Sequence, residues 1–260
     1  MAWHNGRLLG FDLETTGIDT SRDLPVQVAL VWAEANAVVR IERWLVDPGR
    51  VIPDDVIAIH GITTERARSE GCSLGEAAVR IHNAFRRAAR AGVPVVAMNA
   101  NFDVTIAEGL FAAFGLPALA WHTVLDPLVM DRHVDPGREG KRCLDALCKH
   151  YCVRLDHPHD AGSDAEAAVS LARRIGSAYT ECGELAAEEL TILQAVWHDE
   201  WAREYDAWCR DQGLPGLDAH EFSWPCRGAA AARLAASPAV EGSRSRHPTL
   251  ARRLGSRSVA

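Results

Sequence analysis

The sequence lacks any apolar run approaching the roughly 20 residues that a membrane-spanning helix requires. Its first residues, MAWHNGRLLGFDLE, lack the apolar stretch of a secretory signal peptide. The seven cysteines form neither a CxxC pair nor a paired framework, and this is typical of reduced thiols that pack as small hydrophobic side chains. We therefore expect a cytoplasmic protein with no membrane segment, no zinc site and no disulfides.

Composition and charge narrow the class of protein further. Apolar residues make up 48% and charged residues 24% of the 260 positions, which excludes a collagenous, mucin-like or wholly disordered chain. The net charge is −7, but residues 227–260 contain seven Arg and one Glu, so residues 1–226 carry −13. Such an acidic body is not typical of a protein that holds nucleic acid on a basic face. If it acts on an anion, metal ions are the obvious means of neutralising its own carboxylates.

The order of sequence patterns predicts an α/β fold. The first third has three β-branched, apolar runs with short connections, including a hairpin signal at Asn36, and they indicate an antiparallel meander at 8–13, 26–33 and 38–46. The middle alternates helices with two further short strands. Capping boxes beginning at Ser73 and Ser163 predict helices that end near 91 and 175. The other predicted elements are strands at 94–98 and 122–125 and helices at 102–114 and 144–151.

Beyond residue 176 the composition changes. Residues 181–211 have nine acidic and two basic side chains and predict one amphipathic helix, with aromatic residues at helical spacing: Trp197, Trp201, Tyr205 and Trp208. We expect this stripe to pack on the chain's own domain, with a dimer or partner interface as the alternative. From 227 onward we expect a mostly disordered tail with a short helix near 229–235.

The first candidate functional residues lie at the end of the first strand. Asp12 and Glu14 are two residues apart and therefore project to the same side of the strand, while Leu13 points to the core. Two adjacent carboxylates repel each other unless a cation lies between them. The pair indicates a divalent metal site, and a solvent-exposed acidic strand end is the alternative.

Two further motifs carry carboxylates at strand-to-helix or loop-to-helix junctions. Asp103 lies in the first turn of a predicted helix, where helix capping is the simpler explanation. Asp164 begins another helix, and His159 precedes it by five residues in a loop. Taken alone, His159 is more typical of a surface histidine than of a catalyst.

Taken together, these residues resemble the DEDDh exonucleases of the ribonuclease H-like superfamily. The matching motifs are FDLETTG, NANFD and HDAGSD, the last with H-x4-D spacing. The resemblance covers residues 6–176 and is closest to the proofreading, epsilon-type subunits of bacterial replicative polymerases, which also share IHGIT (59–63), LD (125–126) and GKRCLDALC (140–148). Met98 departs from the pattern, since relatives often have His at that place.

The resemblance implies the chemistry of the site. It implies two divalent ions, Mg²⁺ or Mn²⁺, with Asp12 bridging both, Glu14 and Asp164 completing the site of the attacking water, and Asp103 supporting the second ion. It implies that His159 accepts the proton of that water. It assigns substrate contacts to Thr15, Thr16, His60, Asn99 and Phe102, although His60 is as readily structural. Arg138, Lys141 and Arg142 are candidates for phosphate contacts or simply a solvated basic loop.

The implied fold is a ribonuclease H-like mixed sheet, an antiparallel three-stranded meander plus two further strands, flanked by helices and followed by a helical extension. We expect an exonuclease domain at 1–178, a Trp-rich helical extension at 179–226 and a tail at 227–260. The predicted function is metal-dependent 3′–5′ removal of nucleoside 5′-monophosphates from single-stranded or frayed DNA ends, beside a DNA polymerase or another replication or repair protein. An RNA-trimming enzyme of oligoribonuclease or ribonuclease T type and an inactive partner-binding scaffold are the alternatives.

Overall fold

The computed structural model describes residues 2–35, 37–121 and 123–236, and a mixed β-sheet forms the centre of the fold. Within these residues six strands pair in the order β4-β3-β2-β1-β5-β6. They are β1 (Arg7–Thr15), β2 (Pro25–Glu34), β3 (Ala37–Asp47), β4 (Cys72–Ser73), β5 (Val95–Val96) and β6 (Val124–Leu125). β1, β2 and β3 form the predicted antiparallel meander, and β5 and β6 run parallel to β1. The predicted sheet is confirmed, with the two-residue β4 added beside β3.

Helices cover both faces of the sheet. They are α1 (Asp54–His60), α2 (Thr64–Glu70), α3 (Leu74–Arg90), α4 (Ala100–Ala113), α5 (Pro127–Val134), α6 (Leu144–His150), α7 (Ala161–Ala178), α8 (Thr180–Gly183), α9 (Ala187–Asp211) and α10 (Gly228–Ala235). Short 3₁₀ turns occur at Trp3–Asn5 and Ala219–Phe222. Among the described residues, no helix is both long and apolar enough to cross a membrane.

Alternation along β1 decides what each face of the sheet carries. Leu9, Phe11 and Leu13 pack with α3 and α4 in the main hydrophobic core. The intervening positions face α7, which packs against β1 and β2. Gly10 allows this approach, because a Cβ there would lie 2.7 Å from the Ala165 carbonyl oxygen. The same face therefore carries Asp12 and Glu14 toward the start of α7.

Helix ends follow local capping chemistry, with one correction. The Ser73 hydroxyl accepts the Glu76 N–H (3.2 Å) and begins α3 as predicted. The capping box predicted at Ser163 is wrong. Asp160 is the N-cap of α7, and its carboxylate accepts the Ser163 N–H (3.2 Å), so Ser163 lies inside the first turn. Aspartate and serine cap helices about equally well, and the local sequence offers both.

Other boundaries differ from the predictions by a few residues. α4 begins at Ala100 rather than 102, because the backbone of Asn99 has the left-handed conformation that precedes it. The strands predicted at 94–98 and 122–125 shorten to the two residues each that pair with a neighbouring strand. Two positions used in those predictions, 36 and 122, lie outside the described residues.

The helix predicted to begin at 181 is wrong in its first part. The chain instead forms α8 and then begins α9 at Ala187, where the Glu189 carboxylate accepts the Ala186 N–H (3.1 Å). Gly183 causes the break: a Cβ there would lie 1.9 Å from the Gly176 carbonyl oxygen, so the chain passes close against the end of α7.

α9 packs beside β6 through polar side chains. The Thr191 hydroxyl accepts the Val124 N–H (3.0 Å), and the Gln194 amide accepts the Asp126 N–H (2.7 Å) and donates to the Val124 carbonyl (2.9 Å). Thr191 and Gln194 are buried. The helix therefore supplies hydrogen bonds that a further strand would otherwise supply.

The aromatic stripe packs on the domain only in part. Trp197 stacks on His133 (3.7 Å between ring centroids), and the Arg132 guanidinium lies 3.4 Å above the Trp201 ring. Tyr205 and Trp208 are 40% and 52% exposed. Burial of the whole stripe on its own domain was expected and is wrong for these two residues.

The short helix expected near 229–235 is present as α10, but it belongs to the core rather than to a loose tail. Ala230 and Leu234 are buried, and Leu234 lies against α4 so closely that a Cβ at Gly109 would lie 2.8 Å from its Cδ2. The remainder of the predicted tail, residues 237–260, lies outside the described residues.

Candidate active site

Three of the four predicted carboxylates come together at the end of β1. Asp12 and Glu14 project from the same face of the strand, and Asp164 lies in the first turn of α7, which Gly10 admits close to that face. Each of the three offers one oxygen within 4.8 Å of the others. The structure thus joins residues that are 150 positions apart in the sequence, and a divalent cation could bind among them.

Asp103 lies beside this group without belonging to it. Its carboxylate accepts the Leu13 N–H (3.0 Å), between the two carboxylates of β1, and the side chain is 4% exposed. This hydrogen bond fixes the start of α4 to the end of β1. The helix-capping explanation is therefore insufficient, because Asp103 also bonds the strand that carries Asp12 and Glu14.

Burial and mutual repulsion shift the titration of these carboxylates. Burial raises the pKa of Asp12 well above its usual value, and the charges of Asp103, Glu14 and Asp164 raise it further. Burial, with the charges of Asp164 and Asp160, raises the pKa of Glu14 to about 8. Burial raises the pKa of Asp164 to about 6 despite a hydrogen bond from the His159 backbone.

The pKa of Asp103 is shifted in the same direction as those of the other three carboxylates. Burial raises its pKa well above the usual value, although the Leu13 N–H opposes the shift. Four such groups ionise together only when positive charge is brought among them.

The donor set fits a hard divalent cation. All of the converging atoms are carboxylate oxygens, which Mg²⁺ and Mn²⁺ prefer. One of them, Asp164 Oδ1, is buried and has no hydrogen-bond partner within the protein. A buried acceptor without a partner is costly, so a bound cation would satisfy an atom that the protein leaves open.

His159 lies on the loop that enters α7. Its backbone has the left-handed conformation (φ 64°), and its N–H donates to Asp164 Oδ2 (3.1 Å). Its side chain is exposed, as expected of a group that meets a ligand from solvent. The neighbouring Asp160 forms an ion pair with Arg43 of β3 (2.6 Å), which holds this loop to the sheet.

The residues predicted to contact substrate differ in whether their polar groups already have hydrogen-bond partners within the protein. The Thr16 N–H donates to the Leu24 carbonyl (2.9 Å), and its hydroxyl donates to Asp23 Oδ1 (2.9 Å), so both donors of Thr16 are engaged within the protein. The Thr15 hydroxyl donates to the Gly17 carbonyl (2.6 Å). His60 Nδ1 accepts the Ile62 N–H (3.0 Å), while its buried Nε2 has no partner. Burial lowers the pKa of His60, and the charge of His159 acts in the same direction.

The second motif contributes residues with distinct environments. Asn99 is exposed, and its backbone has the left-handed conformation (φ 60°). Phe102 is half-buried and packs against the main core. Both flank Asp103 at the start of α4. Met98, which departs from the family pattern, lies half-buried against core residues.

Two of the three basic candidates are engaged within the protein. Arg138 and Arg142 both form ion pairs with the buried Asp131. Their guanidinium groups are therefore already paired within the protein, and Lys141 is the exposed residue of the three. The sequence pattern could not reveal this pairing because it gives no sign that Asp131 is buried.

Asp126 is a residue whose role the sequence reasoning missed. It is buried and accepts the N–H groups of Asn99 (3.0 Å), Ala100 (2.8 Å) and Leu128 (2.9 Å). It thus caps α4 from another segment and α5 from its own. The strand-terminal LD pair was noted in the sequence, but nothing local shows that a carboxylate caps a helix 26 positions away.

Comparisons with known proteins agree with this geometry. A family model described as exonuclease (RNase_T) matches residues 9–172, and the chain belongs to this family. Within it, the motifs that carry the four carboxylates and the histidine agree with a DEDDh-type exonuclease domain of the ribonuclease H-like superfamily.

Individual relatives are distant and much larger. DNA polymerase III PolC-type of Lacticaseibacillus paracasei is 29% identical over 60% of this chain and 10% of its own, and that of Streptococcus pyogenes is 30% identical over 64% and 11%. The chain thus spans about a tenth of these polymerases. E. coli Exonuclease I in complex with a dA16 oligonucleotide has a similar fold, with a TM-score of 0.58, 22% identity and coverage of 69% of this chain and 42% of that one.

Proposed function

We propose that the chain removes nucleoside 5′-monophosphates from the 3′ ends of single-stranded or frayed DNA in a reaction that depends on two divalent ions, Mg²⁺ or Mn²⁺. The observation that carries this proposal is the convergence of Asp12, Glu14 and Asp164 within 4.8 Å, in a place where Asp164 Oδ1 has no partner in the protein. Bound cations would satisfy this oxygen and relieve the repulsion among the three carboxylates, and a phosphodiester supplies the matching anion.

The four carboxylates would have two different roles in this reaction. Asp12, Glu14 and Asp164 would hold the ions, and Asp103 would keep the start of α4 against β1 through the Leu13 N–H. The bound ions would polarise the scissile phosphate and stabilise charge on the attacking and leaving oxygens. The raised pKa values mean that the ligands lose protons as the ions bind.

His159 would act as the general base. It would accept a proton from the attacking water as the water oxygen bonds to phosphorus. The bond between phosphorus and the 3′ oxygen then breaks, and that oxygen takes a proton from solvent. The products are a nucleoside 5′-monophosphate and a strand that is one nucleotide shorter with a free 3′ hydroxyl.

Substrate class and partner follow from the relatives. The PolC-type polymerases and the Exonuclease I complex with an oligonucleotide, by their names, support DNA over RNA. The polymerase relatives also support action beside a DNA polymerase. Asn99 and Phe102, at the start of α4, and His60 remain the side chains proposed to contact the terminal nucleotide.

A 5′-labelled single-stranded DNA oligonucleotide tests the proposal. We expect a ladder of products shortened from the 3′ end, abolished by EDTA and restored by Mg²⁺ or Mn²⁺. A matched RNA oligonucleotide should be degraded more slowly, and a circular single strand should stay intact. Activity that survives thorough chelation would contradict the metal mechanism. Faster cleavage of RNA than of DNA would favour the alternative function, RNA trimming.

A further inference from the structure

The start of α4, which carries Asp103, is held in part from beyond the segment that the family model matches. The family match ends at residue 172. Asn99, just before the helix, has a left-handed backbone (φ 60°), which is uncommon for a residue with a side chain although asparagine tolerates it better than most. Its own side chain makes no capping hydrogen bond. The conformation therefore depends on neighbouring segments.

Asp126 supplies the cap, and the C-terminal extension, residues 187–236, holds Asp126. Its carboxylate accepts the N–H groups of Asn99 and Ala100. Trp224 Nε1 donates to the same carboxylate (3.3 Å), and Gln194 of α9 accepts the Asp126 N–H (2.7 Å). Burial raises the pKa of Asp126, and these donors oppose the shift. Two residues of the extension thus bond the group that orders the start of α4.

A second set of contacts reaches the same turn of α4. Arg227 donates its N–H to the Thr105 hydroxyl (2.8 Å), and its guanidinium lies 3.4 Å from Asn101 Oδ1. His198 Nε2 lies 2.9 Å from the Glu221 carbonyl, so this nitrogen carries the proton and ties α9 to the segment that bears Trp224. Asn101, Thr105 and His198 are buried.

We infer that the C-terminal extension, residues 187–236, positions Asp103 for catalysis, and that Trp224 is a positioning residue acting through Asp126. This inference rests on the proposed function, because it gives Asp103 a part in the metal-dependent reaction. The extension would act on the rate of the chemical step through Asp103, and any effect on substrate binding would pass through Asn99 and Phe102 at the same helix start. Truncation at residue 226 would then lower turnover, because it removes Arg227 and α10.

The conservative variant Trp224→Phe tests the inference, with Trp208→Phe as its matched control. Trp224→Phe keeps an aromatic ring but removes the donor to Asp126, while Trp208 is 52% exposed on the same extension. With metal saturating and the DNA concentration varied, we expect kcat to fall about three- to tenfold and KM to change by a smaller factor. Trp208→Phe should match the wild type in both.

Amide hydrogen exchange in the metal-free protein gives a readout that does not depend on activity. We expect exchange at Asn99 and Ala100 to be at least about threefold faster in Trp224→Phe than in the wild type or Trp208→Phe. A variant that only melts earlier, with kcat and exchange at these amides unchanged, would overturn the inference. A wild type that is itself inactive would overturn the proposed function instead, and the exchange result would still decide whether Trp224 orders the start of α4.

Discussion

Two groups of buried polar side chains differ sharply in how their hydrogen bonds are satisfied. Where α9 meets β6, Thr191 and Gln194 bond the backbone of Val124 and Asp126. At the end of β1, the pKa of Glu14 rises to about 8, and Asp164 Oδ1 has no partner. The first group therefore stabilises the fold, whereas the second costs stability and depends on a ligand from outside the protein.

This difference separates structural from functional polar residues without reference to relatives. A satisfied network loses stability when one member is removed, and the catalytic rate changes only as a consequence. A cluster of carboxylates that repel one another gains stability when one charge is removed, and activity is lost. Four predictions test this separation.

The largest expected effect is on activity at the carboxylate cluster. Asp12→Asn should lower the rate of nucleotide release about 10³-fold or more, because metal-ion catalysis contributes several kcal/mol and each 1.36 kcal/mol is tenfold. In EDTA the variant should melt no lower than the wild type, because a mutual repulsion is relieved. Single-turnover rates and melting curves measure both quantities, and Asp145→Asn, an exposed carboxylate paired with Lys149, is the control.

His159→Ala sharpens this test, since it should lower the rate about 10²–10⁴-fold while leaving Mn²⁺ binding nearly intact by calorimetry. If it abolished metal binding as completely as Asp12→Asn, the assignment of His159 as the base would be wrong.

The satisfied network should show the opposite behaviour. Gln194→Leu keeps the approximate size of a buried side chain but leaves the Asp126 N–H without its acceptor. We expect the free energy of unfolding to fall by about 2–3 kcal/mol, as measured by urea denaturation. Gln212→Leu, an exposed glutamine just beyond α9, should change it by less than about 0.5 kcal/mol. Equal effects of the two variants would contradict the role given to Gln194.

The smallest expected effect concerns pH. The pKa of Glu14 is raised from 4.5 to about 8, so the folded state binds more protons than the unfolded state between these values. In EDTA, stability should therefore fall as pH rises from about 5 to 9. Glu14→Gln should remove part of this fall and be about 2 kcal/mol more stable than the wild type at pH 9. Melting curves of the wild type and Glu14→Gln at pH 6 and 9 measure this difference. If stability changed equally with pH in the two proteins, the raised pKa of Glu14 would be refuted.

Much of the fold was predictable because its signals are local. The period-two pattern of β1 places Leu13 in the core and Asp12 and Glu14 on the opposite face, as predicted. The cap at Ser73 and the positive-φ glycine Gly92 mark the two ends of α3. These features depend on residues within a few positions of each other, so the sequence contains them directly.

Features that depend on distant partners were missed or wrong. Asp126 and Gln194 are 68 positions apart, and Arg43 and Asp160 are 117 apart. Tyr205 and Trp208 belong to a regular aromatic stripe, yet periodicity does not reveal where the surface beneath a helix ends. The three motifs of the site were predictable because their family resemblance encodes distant contacts that the residues alone do not.

The contact of α9 with β6 also has a consequence for association between chains. β6 is the outermost strand in the sheet order, and an outer strand with open backbone groups can pair with a strand of another molecule and start aggregation. Here the Val124 N–H and C=O and the Asp126 N–H are already bonded by Thr191 and Gln194. Two polar side chains on a helix thus block edge-to-edge pairing at the place where the sheet would otherwise accept a foreign strand.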